Sequence, residues 1–356
     1  MMSKRMERLR SLIAAQGLDC LVISQPENRR YMSGFTGSAG LLVISAEQAL
    51  IVVDFRYYTQ SARQAPAFTL CPITTRAEDA LAAALKQFGW QKVGIEAQDI
   101  TLETFEAMRA AAGDVDWVLT KGLVESLRQN KDESELALLR EAIRISDEAM
   151  QDMWAWLKPG VTERDVAWHL EVYMRTHGAE ALSFTTIVGS GANSALPHAV
   201  TSDRPIAVGD PVVVDMGALY QGYHADLTRS FCVHEASDEY LRIWNLVLEA
   251  QLAVERTLRP GMTGFETDKI ARDMIYRAGY EGKFGHGLGH SVGLAIHEYP
   301  RASSLSQEVF TEGVVLTVEP GVYLPDWGGV RIEDVVVLTP AGCDVLTECR
   351  KVPVVG

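Results

Sequence analysis

Four carboxylates in the second half of the chain lie in segments that are otherwise apolar, aromatic or small. Asp215 and Asp226 occur in VVVDMGALYQGYHADLTRSF, and Glu319 and Glu333 occur in LTVEPGVYLPDWGGVRIEDVVV. Carboxylates usually lie on the protein surface. One ordinary explanation is therefore that one aspartate caps a turn while the other forms an ion pair with Arg229. The spacing within the two acidic pairs favours a different chemistry.

Each acidic pair straddles a predicted turn. The midpoint of the first pair falls between Tyr220 and Gln221, and that of the second falls on Asp326 within PDWGG. If each turn closes a hairpin, the two acids of a pair face each other with Cβ atoms about 4.5–5.5 Å apart. Four such charges in an apolar setting either have raised pKa values or are neutralised by a multivalent cation. The sequence therefore predicts a cation site.

Three histidines occur close together in FGHGLGHSVGLAIHEYP, between the two acidic pairs: His286, His290 and His297. The interspersed glycines disfavour a regular helix, so the spacing of the first two histidines does not indicate a helical zinc motif. The segment also lacks the G-x-G-x-x-G pattern and the βαβ context of a dinucleotide-binding loop. A lone histidine is usually structural, whereas three beside four carboxylates favour a role at the cation site.

An internal repeat positions these residues. PGVTERDVAWHLEVYMRTHGAE begins at Pro159, and PGMTGFETDKIARDMIYRAGYE begins 101 positions later at Pro260. In each copy, Pro-Gly-x-Thr precedes an amphipathic helix and a glycine follows its end, as expected for helix caps. The repeat predicts two structurally similar halves around a shared cleft. The matched positions are Thr162 with Thr263, Gly178 with Gly279, Asp215 with Glu319, Asp226 with Glu333 and, approximately, His198 with His297.

The first part of the chain alternates between apolar runs and helical patterns, which indicates an α/β domain. A long amphipathic helix starts around Lys131 and stops before Pro159–Gly160. We therefore predict two domains, residues 1–124 and 125–356. The apolar runs are 19–24, 40–45, 49–54 and 92–96, and the helical stretches are 56–65, 77–88 and 101–112.

The bulk properties exclude several classes of protein. Among 356 residues, 47 are acidic and 33 basic, for a formal charge of −14, which disfavours a nucleic-acid partner. No run of eighteen apolar residues indicates a membrane span, and the N-terminus lacks the apolar core of a signal peptide. The five cysteines are scattered without a CxxC pair, as expected for reduced thiols. The sequence predicts a cytoplasmic protein.

The ordered set of acids and histidines resembles the metallopeptidases of pita-bread fold, family M24. These include Xaa-Pro aminopeptidases, prolidases and methionine aminopeptidases. GHGLGHSVGLAIHEYP and TVEPGVYLPDWGGVRIEDVV are similar to the proline-specific branch, and FTGSAG and DFRYY extend the resemblance to the first domain. The resemblance implies an α/β creatinase-like N-terminal domain. It also implies an α+β pita-bread catalytic domain with an internal pseudo-two-fold repeat.

The resemblance also implies a ligand set for two divalent cations. Asp215 would chelate one metal, Asp226 and Glu333 would bridge both, and His290 and Glu319 would each complete one coordination sphere. This oxygen-rich set with one imidazole suits Mn²⁺, with Co²⁺ or Zn²⁺ as alternatives. A pair of metals of this kind activates a water molecule and polarises the scissile carbonyl.

The same resemblance implies catalytic roles for further residues. Glu319 would transfer a proton from the attacking water to the leaving nitrogen. His198 and His297 would bind the substrate carbonyl and stabilise the tetrahedral intermediate. His286 and Arg331 would orient the ligands and the cleft. For Arg331, which lies two residues before the last glutamate, a plain ion pair with that glutamate is the alternative.

The function implied is metal-dependent hydrolysis of the N-terminal Xaa-Pro bond of short peptides by a homodimeric exopeptidase. An aminopeptidase of broader or Met-Xaa specificity is one alternative. A creatinase-like C–N hydrolase is another, but such enzymes and the non-enzymatic relatives lose the metal ligands that this chain retains. The sequence leaves open whether the enzyme is a dipeptidase or an aminopeptidase that accepts longer peptides.

Overall fold

We describe residues 2–356 in a computed structural model of the chain; Met1, the first residue of the predicted N-terminal domain, lies outside them. Contacts divide the chain into two compact units, of which the first ends at Arg128 and the second is Gln129–Gly356. The sequence-based boundary after residue 124 stays a prediction. In the described part of the chain, no helix has the length and apolar character needed to cross a membrane.

The first unit is a mixed six-stranded sheet with helices between its strands. The order of the strands is β4-β3-β2-β1-β5-β6, with β1 antiparallel to β2 and parallel to β5. The elements are α1 Met2–Ala15, β1 Cys20–Ile23, α2 Pro26–Ser33, β2 Leu41–Ser45, β3 Ala49–Val53, α3 Tyr58–Gln64, β4 Thr69–Pro72, α4 Ala77–Phe88, β5 Lys92–Glu96, α5 Leu102–Ala112, β6 Asp116–Thr120 and α6 Glu125–Arg128.

The first half of the second unit packs two helices against a four-stranded sheet and also contains a small three-stranded sheet. The larger sheet has the order β20 (Val354–Val355), β12 (Leu227–Val233), β9 (Pro211–Met216) and β8 (Ile187–Ser190), and the smaller one has the order β11 (Tyr223–His224), β10 (Ala218–Tyr220) and β7 (Ala181–Leu182). The core of this half joins Met150 and Met153 of the first helix to Leu170 of the second and to Val212 and Phe231 of the larger sheet. The elements are α7 Glu133–Trp156, α8 Glu163–Thr176, β7 Ala181–Leu182, β8 Ile187–Ser190, β9 Pro211–Met216, β10 Ala218–Tyr220, β11 Tyr223–His224 and β12 Leu227–Val233.

The second half repeats this plan with two more helices packed on strands. Trp244 and Val247 of the first helix, Ile275 of the second and Leu316 and Val336 of the strands form a separate core. The elements are α9 Asp238–Thr257, α10 Gly264–Arg277, β13 Gly289–Ser291, β14 Glu298–Ala302, β15 Val315–Val318, β16 Gly321–Leu324, β17 Gly328–Arg331, β18 Asp334–Thr339, β19 Gly342–Val345 and β20 Val354–Val355.

The helix boundaries of the predicted repeat are confirmed. Thr162 and Thr263 cap α8 and α10, and each forms a reciprocal capping box with the acidic residue three positions later. Gly178 and Gly279 follow the two helices with φ of 111° and 94°. These left-handed conformations explain why a glycine recurs at both positions.

Candidate metal centre

The first acidic pair lies where β9 and β12 leave the hairpin of β10 and β11. Asp215 on β9 pairs with Thr228, and Asp226 immediately precedes β12. The hairpin turns at Gln221 and Gly222, whose φ values of 43° and 76° are those of a two-residue primed turn. The predicted direct pairing of the two aspartates is therefore wrong by two residues, because this turn closes one position later than their midpoint.

The second acidic pair follows the predicted register. β15 and β18 are antiparallel with Val318 opposite Asp334, so the next residues inward, Glu319 and Glu333, continue the same register. Asp326, the predicted midpoint, lies in the turn between β16 and β17 with φ of 64°. The two hairpins thus present their carboxylates from two separate strand pairs.

All five residues of the predicted ligand set converge. Oxygens of Asp215, Asp226 and Glu333 lie within 4.8 Å of one another, a spacing that could hold a metal ion. His290 Nε2 lies 3.6 Å from Asp226 Oδ2 and 3.6 Å from Glu319 Oε1. One imidazole therefore stands between an acid of each hairpin.

The tautomer of His290 leaves its inward nitrogen free for a cation. Nδ1 lies 3.2 Å from the carbonyl oxygen of Ser291, which can only accept a hydrogen bond, so Nδ1 carries the proton. The lone pair of Nε2 then faces the acids. Burial, followed by the charge on His297, lowers the pKa of His290 to about 3, so the ring is neutral at physiological pH. A neutral imidazole whose other nitrogen is held by a carbonyl is typical of a metal ligand.

Burial and mutual repulsion disfavour ionisation of the carboxyl groups in the metal-free protein. Burial raises the pKa of Asp226 well above its ordinary value, and the negative charges of Glu333, Asp215 and Glu319 raise it further. Burial likewise raises the pKa of Glu319 to about 8, although the positive charge of Arg331 acts in the opposite direction. A divalent cation would reverse these shifts, since it favours the ionised form of each group.

Arg331 is a buried cation at the edge of the cluster. Its guanidinium donates to Asp215 Oδ2 at 2.6 Å, to Thr228 Oγ1 at 3.0 Å and to the Tyr323 hydroxyl at 2.9 Å. The alternative ion pair with Glu333 is not the one formed, because the ion pair of Arg331 is with Asp215.

Two carboxylate oxygens at the centre differ in their hydrogen bonding. Asp215 Oδ1 is buried, and no described residue donates a hydrogen bond to it. Glu333 Oε2 accepts from the Thr228 hydroxyl at 2.7 Å, which fixes the orientation of that carboxylate. An orphaned buried carboxylate oxygen costs free energy unless a further ligand meets it. Four carboxylates and one neutral imidazole fit divalent cations that prefer oxygen, so the residues present fit a metal.

Arg229, the other candidate partner for an aspartate, points away from the centre. Its guanidinium donates to Asp334 Oδ1 at 2.8 Å and to the carbonyl oxygen of Cys349 at 2.6 Å. The simple explanation that an ion pair with Arg229 accounts for one of the two aspartates is therefore wrong. The side chain instead donates to the carbonyl oxygen of Glu333 and to the carboxylate of Asp334, where β18 begins.

The remaining predicted histidines and the centre share one cavity of about 950 Å³. His198 and His297 line it, and the rings of His290 and His297 meet edge to face with centroids 4.4 Å apart. His286 also lines the cavity, and its Nε2 lies 2.8 Å from the Tyr323 hydroxyl. The structure thus brings together all nine residues that the sequence singles out.

The lining of this cavity includes both apolar side chains and the Arg301 guanidinium. The apolar lining is suited to a small aliphatic or cyclic side chain. Arg301 also lines the cavity, with its guanidinium 5.6 Å from the Tyr299 ring, and no described residue forms a hydrogen bond or ion pair with it. The apolar side chains that line the cavity include Ala167, Trp168, Leu182, Phe184, Ile187, Val200 and Ile296.

Comparisons with known proteins identify the family. The model of metallopeptidase family M24 matches residues 137–340, which hold every residue of the centre, and the model of the creatinase/prolidase N-terminal domain matches residues 5–129. The chain belongs to metallopeptidase family M24. The predicted fold class, a creatinase-like α/β domain followed by a pita-bread catalytic domain, is confirmed.

The M24 chain is similar to named relatives over almost its full length. It is 35% identical to an Xaa-Pro dipeptidase of Pyrococcus furiosus, covering 98% of this chain and 99% of the relative. The structure of an Xaa-Pro dipeptidase from Bacillus anthracis matches with a TM-score of 0.97 and 41% identity, covering 99% of both chains. That of an X-Pro aminopeptidase from Thermotoga maritima matches with a TM-score of 0.91 and 37% identity, covering 99% and 100%.

Three residues around the M24 centre were missed by sequence reasoning. Thr228 and Tyr323 contact the predicted residues only because of the strand register, which no local pattern reveals. Arg301 directly follows the His297–Pro300 segment, and an exposed arginine at this position gives no sequence signal. Thr228 lies opposite Asp215, two residues from the pairing that midpoint counting gives.

Proposed function

We propose that this M24 peptidase hydrolyses the bond between an N-terminal residue and proline in short peptides, with two divalent cations bound at the centre. The observation that carries the proposal is the convergence of five metal-ligand side chains with His198 and His297 in one cavity. The names of the relatives support the proline specificity, since both dipeptidases and an aminopeptidase acting on X-Pro bonds are among them.

Five residues would hold the cations. These are Asp215, Asp226, His290, Glu319 and Glu333, whose donor atoms lie close together at the centre. We propose Mn²⁺ as the metal because the donor set is oxygen-rich, with Co²⁺ or Zn²⁺ as substitutes. When bound, such a pair supplies an activated water and a polarised substrate carbonyl.

The chain's own side chains would move the proton and bind the developing charge. Glu319 is suited to accept a proton from the attacking water and to deliver it to the leaving nitrogen, because its carboxylate lies beside the centre at the cavity wall. His198 and His297 would donate hydrogen bonds to the carbonyl oxygen as its negative charge develops. Arg331 would hold Asp215 in place through its hydrogen bond to that carboxylate. His286 would help to orient the cleft through its hydrogen bond with the Tyr323 hydroxyl.

A proline substrate explains why such a centre is needed. The proline nitrogen carries no N–H and its ring fixes φ, so a peptidase site that relies on that N–H as a hydrogen-bond donor cannot use the bond. A site that acts on the carbonyl and on water needs no such contact. The apolar side chains that line the cavity provide surface against which the pyrrolidine ring can pack.

Arg301 favours a dipeptide as the substrate. Its guanidinium is the cation of the cavity that has no carboxylate partner among the described residues. A dipeptide places its C-terminal carboxylate one residue beyond the scissile bond, within the same cavity, where an arginine can bind it with two hydrogen bonds. A longer peptide would place a neutral peptide group there instead.

We also propose that the enzyme is a cytoplasmic homodimer. The five cysteines are free thiols, as expected in a reducing compartment. The dimer is an expectation from the family resemblance. Size-exclusion chromatography with light scattering measures the mass directly, and a mass near the 39.2 kDa of one chain would contradict it.

The substrate test compares matched peptides with Mn²⁺-loaded and chelated enzyme. We expect metal-dependent release of alanine from Ala-Pro, with less or none from Ala-Pro-Ala. Cleavage of both at similar rates would indicate an Xaa-Pro aminopeptidase. Preference for Met-Ala-Ala would assign the enzyme to the methionine-releasing branch, and metal binding without hydrolysis of any of the three would overturn the proposed substrate class.

A further inference from the structure

The two histidines that face the substrate lie on loops, and their rings have little direct support. His198 and His297 are both exposed at the cavity surface. Neither ring forms a hydrogen bond to another residue that the structure describes, and the aromatic contact of the His297 ring is an edge-to-face one with the His290 ring. The backbone of each loop must therefore set the position of its histidine.

A buried glutamate joins the two ends of the His198 loop. Glu163, the first residue of α8, is fully buried. Its Oε1 accepts from the backbone N–H and the hydroxyl of Ser190, both at 2.8 Å, and from Asn193 Nδ2 at 3.1 Å. Its Oε2 accepts from the backbone N–H of Ser202 at 2.9 Å and from its hydroxyl at 2.6 Å. One carboxylate from outside the loop thus closes residues 190–202 at their base.

A buried lysine joins the two ends of the His297 loop in the same way. The Lys131 ammonium, with a side chain 1% exposed, donates to Ser291 Oγ at 2.8 Å and to Glu298 Oε2 at 3.1 Å. Ser291 and Glu298 are directly opposite each other on β13 and β14, so the ammonium closes residues 291–298 at their base. The other oxygen of Glu298 accepts from the Ala295 N–H at 3.0 Å, inside the loop.

We propose that Glu163 and Lys131 are positioning residues, each of which fixes one substrate-facing histidine through the base of its loop. The inference rests on the proposed function for the role of the histidines, but the closure of the loops is independent of it. Both contacts are buried and charge-assisted, so they are stronger than ordinary side-chain hydrogen bonds. A displacement of about 1 Å at a reacting group lowers activity by about 100-fold. Loss of the contact that closes either loop is therefore expected to lower activity strongly.

Crossed double-mutant cycles test the pairing of each buried charge with one histidine. We expect Glu163→Gln and Lys131→Met to lower kcat/KM for Ala-Pro by about 10- to 100-fold each. In the His198→Ala background, Glu163→Gln should lower kcat/KM by less than about twofold further. In the His297→Ala background, Glu163→Gln should lower kcat/KM by as much as it does in the wild-type enzyme. Lys131→Met should show the reverse pattern. Full additivity in all four combinations would overturn the proposal.

Hydrogen–deuterium exchange of the metal-free variants supplies a readout that does not depend on activity. Glu163→Gln should speed exchange of amides within 190–202 and leave 291–298 unchanged, and Lys131→Met should do the opposite. Asp203→Asn is the matched control, because it removes an exposed ion pair with Arg164 just outside the first loop, and it should change neither segment. Equal acceleration of both loops in either variant would contradict the inference.

Two safeguards keep the outcomes distinguishable. If wild type proves inactive on every Xaa-Pro peptide, the proposed function fails while the exchange experiment still tests the closure of the loops. If Lys131→Met does not fold, Glu298→Gln replaces it, because an amide keeps the shape and the acceptor for Ala295 while removing the negative charge. Unchanged exchange in residues 291–298 of that variant would overturn the role of the buried pair.

Discussion

At the scale of single residues, the centre is a set of acids held together against their mutual repulsion. In the metal-free protein, burial raises the pKa of Glu333 well above its ordinary value, and the charges of Glu319 and Asp215 raise it further. Arg331 is the buried cation that offsets part of this charge through Asp215. The residues therefore favour metal binding at the expense of the stability of the metal-free state.

Glu333→Gln separates these two effects. We expect the metal-free variant to have a Tm equal to or above that of metal-free wild type, since one repelling group is gone. The variant should also lose more than about 100-fold in metal affinity, because even changes around a ligand cost about 10- to 100-fold. Thermal unfolding with and without Mn²⁺ measures both. A lower Tm without metal, or an unchanged metal-induced rise, would contradict the role assigned to Glu333.

Arg301→Ala tests how the substrate length is recognised. We expect KM for Ala-Pro to rise about tenfold with little change in kcat, since a charge-assisted hydrogen bond contributes about 1.5–3 kcal/mol and this side chain is partly exposed to solvent. Ala-Pro-amide lacks the carboxylate and is the matched control, with an expected change below about twofold. Equal losses on the two substrates would mean that Arg301 does not bind the carboxylate.

The clustering of the acids and the histidine segment could be predicted from the sequence because the pattern is local, whereas their assignment as metal ligands comes from the family resemblance and stays a proposal. Acids in apolar strands and histidines in a glycine-rich segment are visible without any knowledge of the fold, and all five ligand candidates do converge. Thr228 and Arg301 could not be predicted, because a threonine in a strand and an exposed arginine are ordinary residues until the register and the cavity are known.

At the scale of elements, close packing between β13 and β15 places His290. A Cβ on Gly289 would lie 2.0 Å from the Thr317 carbonyl oxygen, so the backbone at this position can approach only as glycine. The Thr317 hydroxyl accepts from the His290 N–H at 3.0 Å and donates to Glu319 Oε1 at 3.2 Å. The strand pair thus joins two of the ligand candidates.

Gly289→Ala should force these strands apart. We expect the free energy of unfolding to fall by about 1–3 kcal/mol or more, as for other overpacked sites, together with a loss of metal affinity. Gly285→Ala is the matched control from the same segment, because no atom lies within 4 Å of its Cβ position, and it should change stability by less than about 0.5 kcal/mol. Urea unfolding of both variants decides the point; similar losses in the two would contradict this account.

The elements missed by sequence reasoning share a physical cause. β4 is mostly exposed and includes Pro72, and β6 is only partly buried, so neither shows the apolar run of an interior strand. α2 buries Asn28 and Arg29, which reverses the usual pattern. In the first hairpin, the two-residue turn at Gln221–Gly222 sets a register that midpoint counting does not give. Interior strands and capped helices could be predicted because their apolar runs and capping residues are visible in the local sequence.

At the scale of the whole molecule, the buried acids couple stability to pH. Burial raises the pKa of Glu319 to about 8 in the metal-free protein, whereas a glutamate in an unfolded chain titrates near 4.3. The folded state therefore binds this proton more tightly, and the stability that results is complete below about pH 4.3 and is lost as pH rises through about 8. The neutral histidines act oppositely, since burial lowers the pKa of His286 to about 4, but their effect ends above pH 6.5.

We therefore expect the Tm of chelated protein to fall as pH rises from 6.5 to 8.5. Saturating Mn²⁺ should remove most of this slope, because a bound cation keeps the acids ionised throughout the range. Scanning calorimetry at constant ionic strength measures both curves. A Tm of the chelated protein that is flat or rises over this range would contradict the electrostatic description of the centre.

The most direct test of the dinuclear centre is a titration of chelated enzyme with Mn²⁺, in which bound metal is counted by elemental analysis and Ala-Pro hydrolysis is measured at each point. We predict two ions per chain and an activity that appears with metal binding at the centre. Asp226→Asn should bind fewer than two ions and remain inactive while keeping the fold. Full hydrolysis by the chelated enzyme, or by Asp226→Asn, would contradict the account.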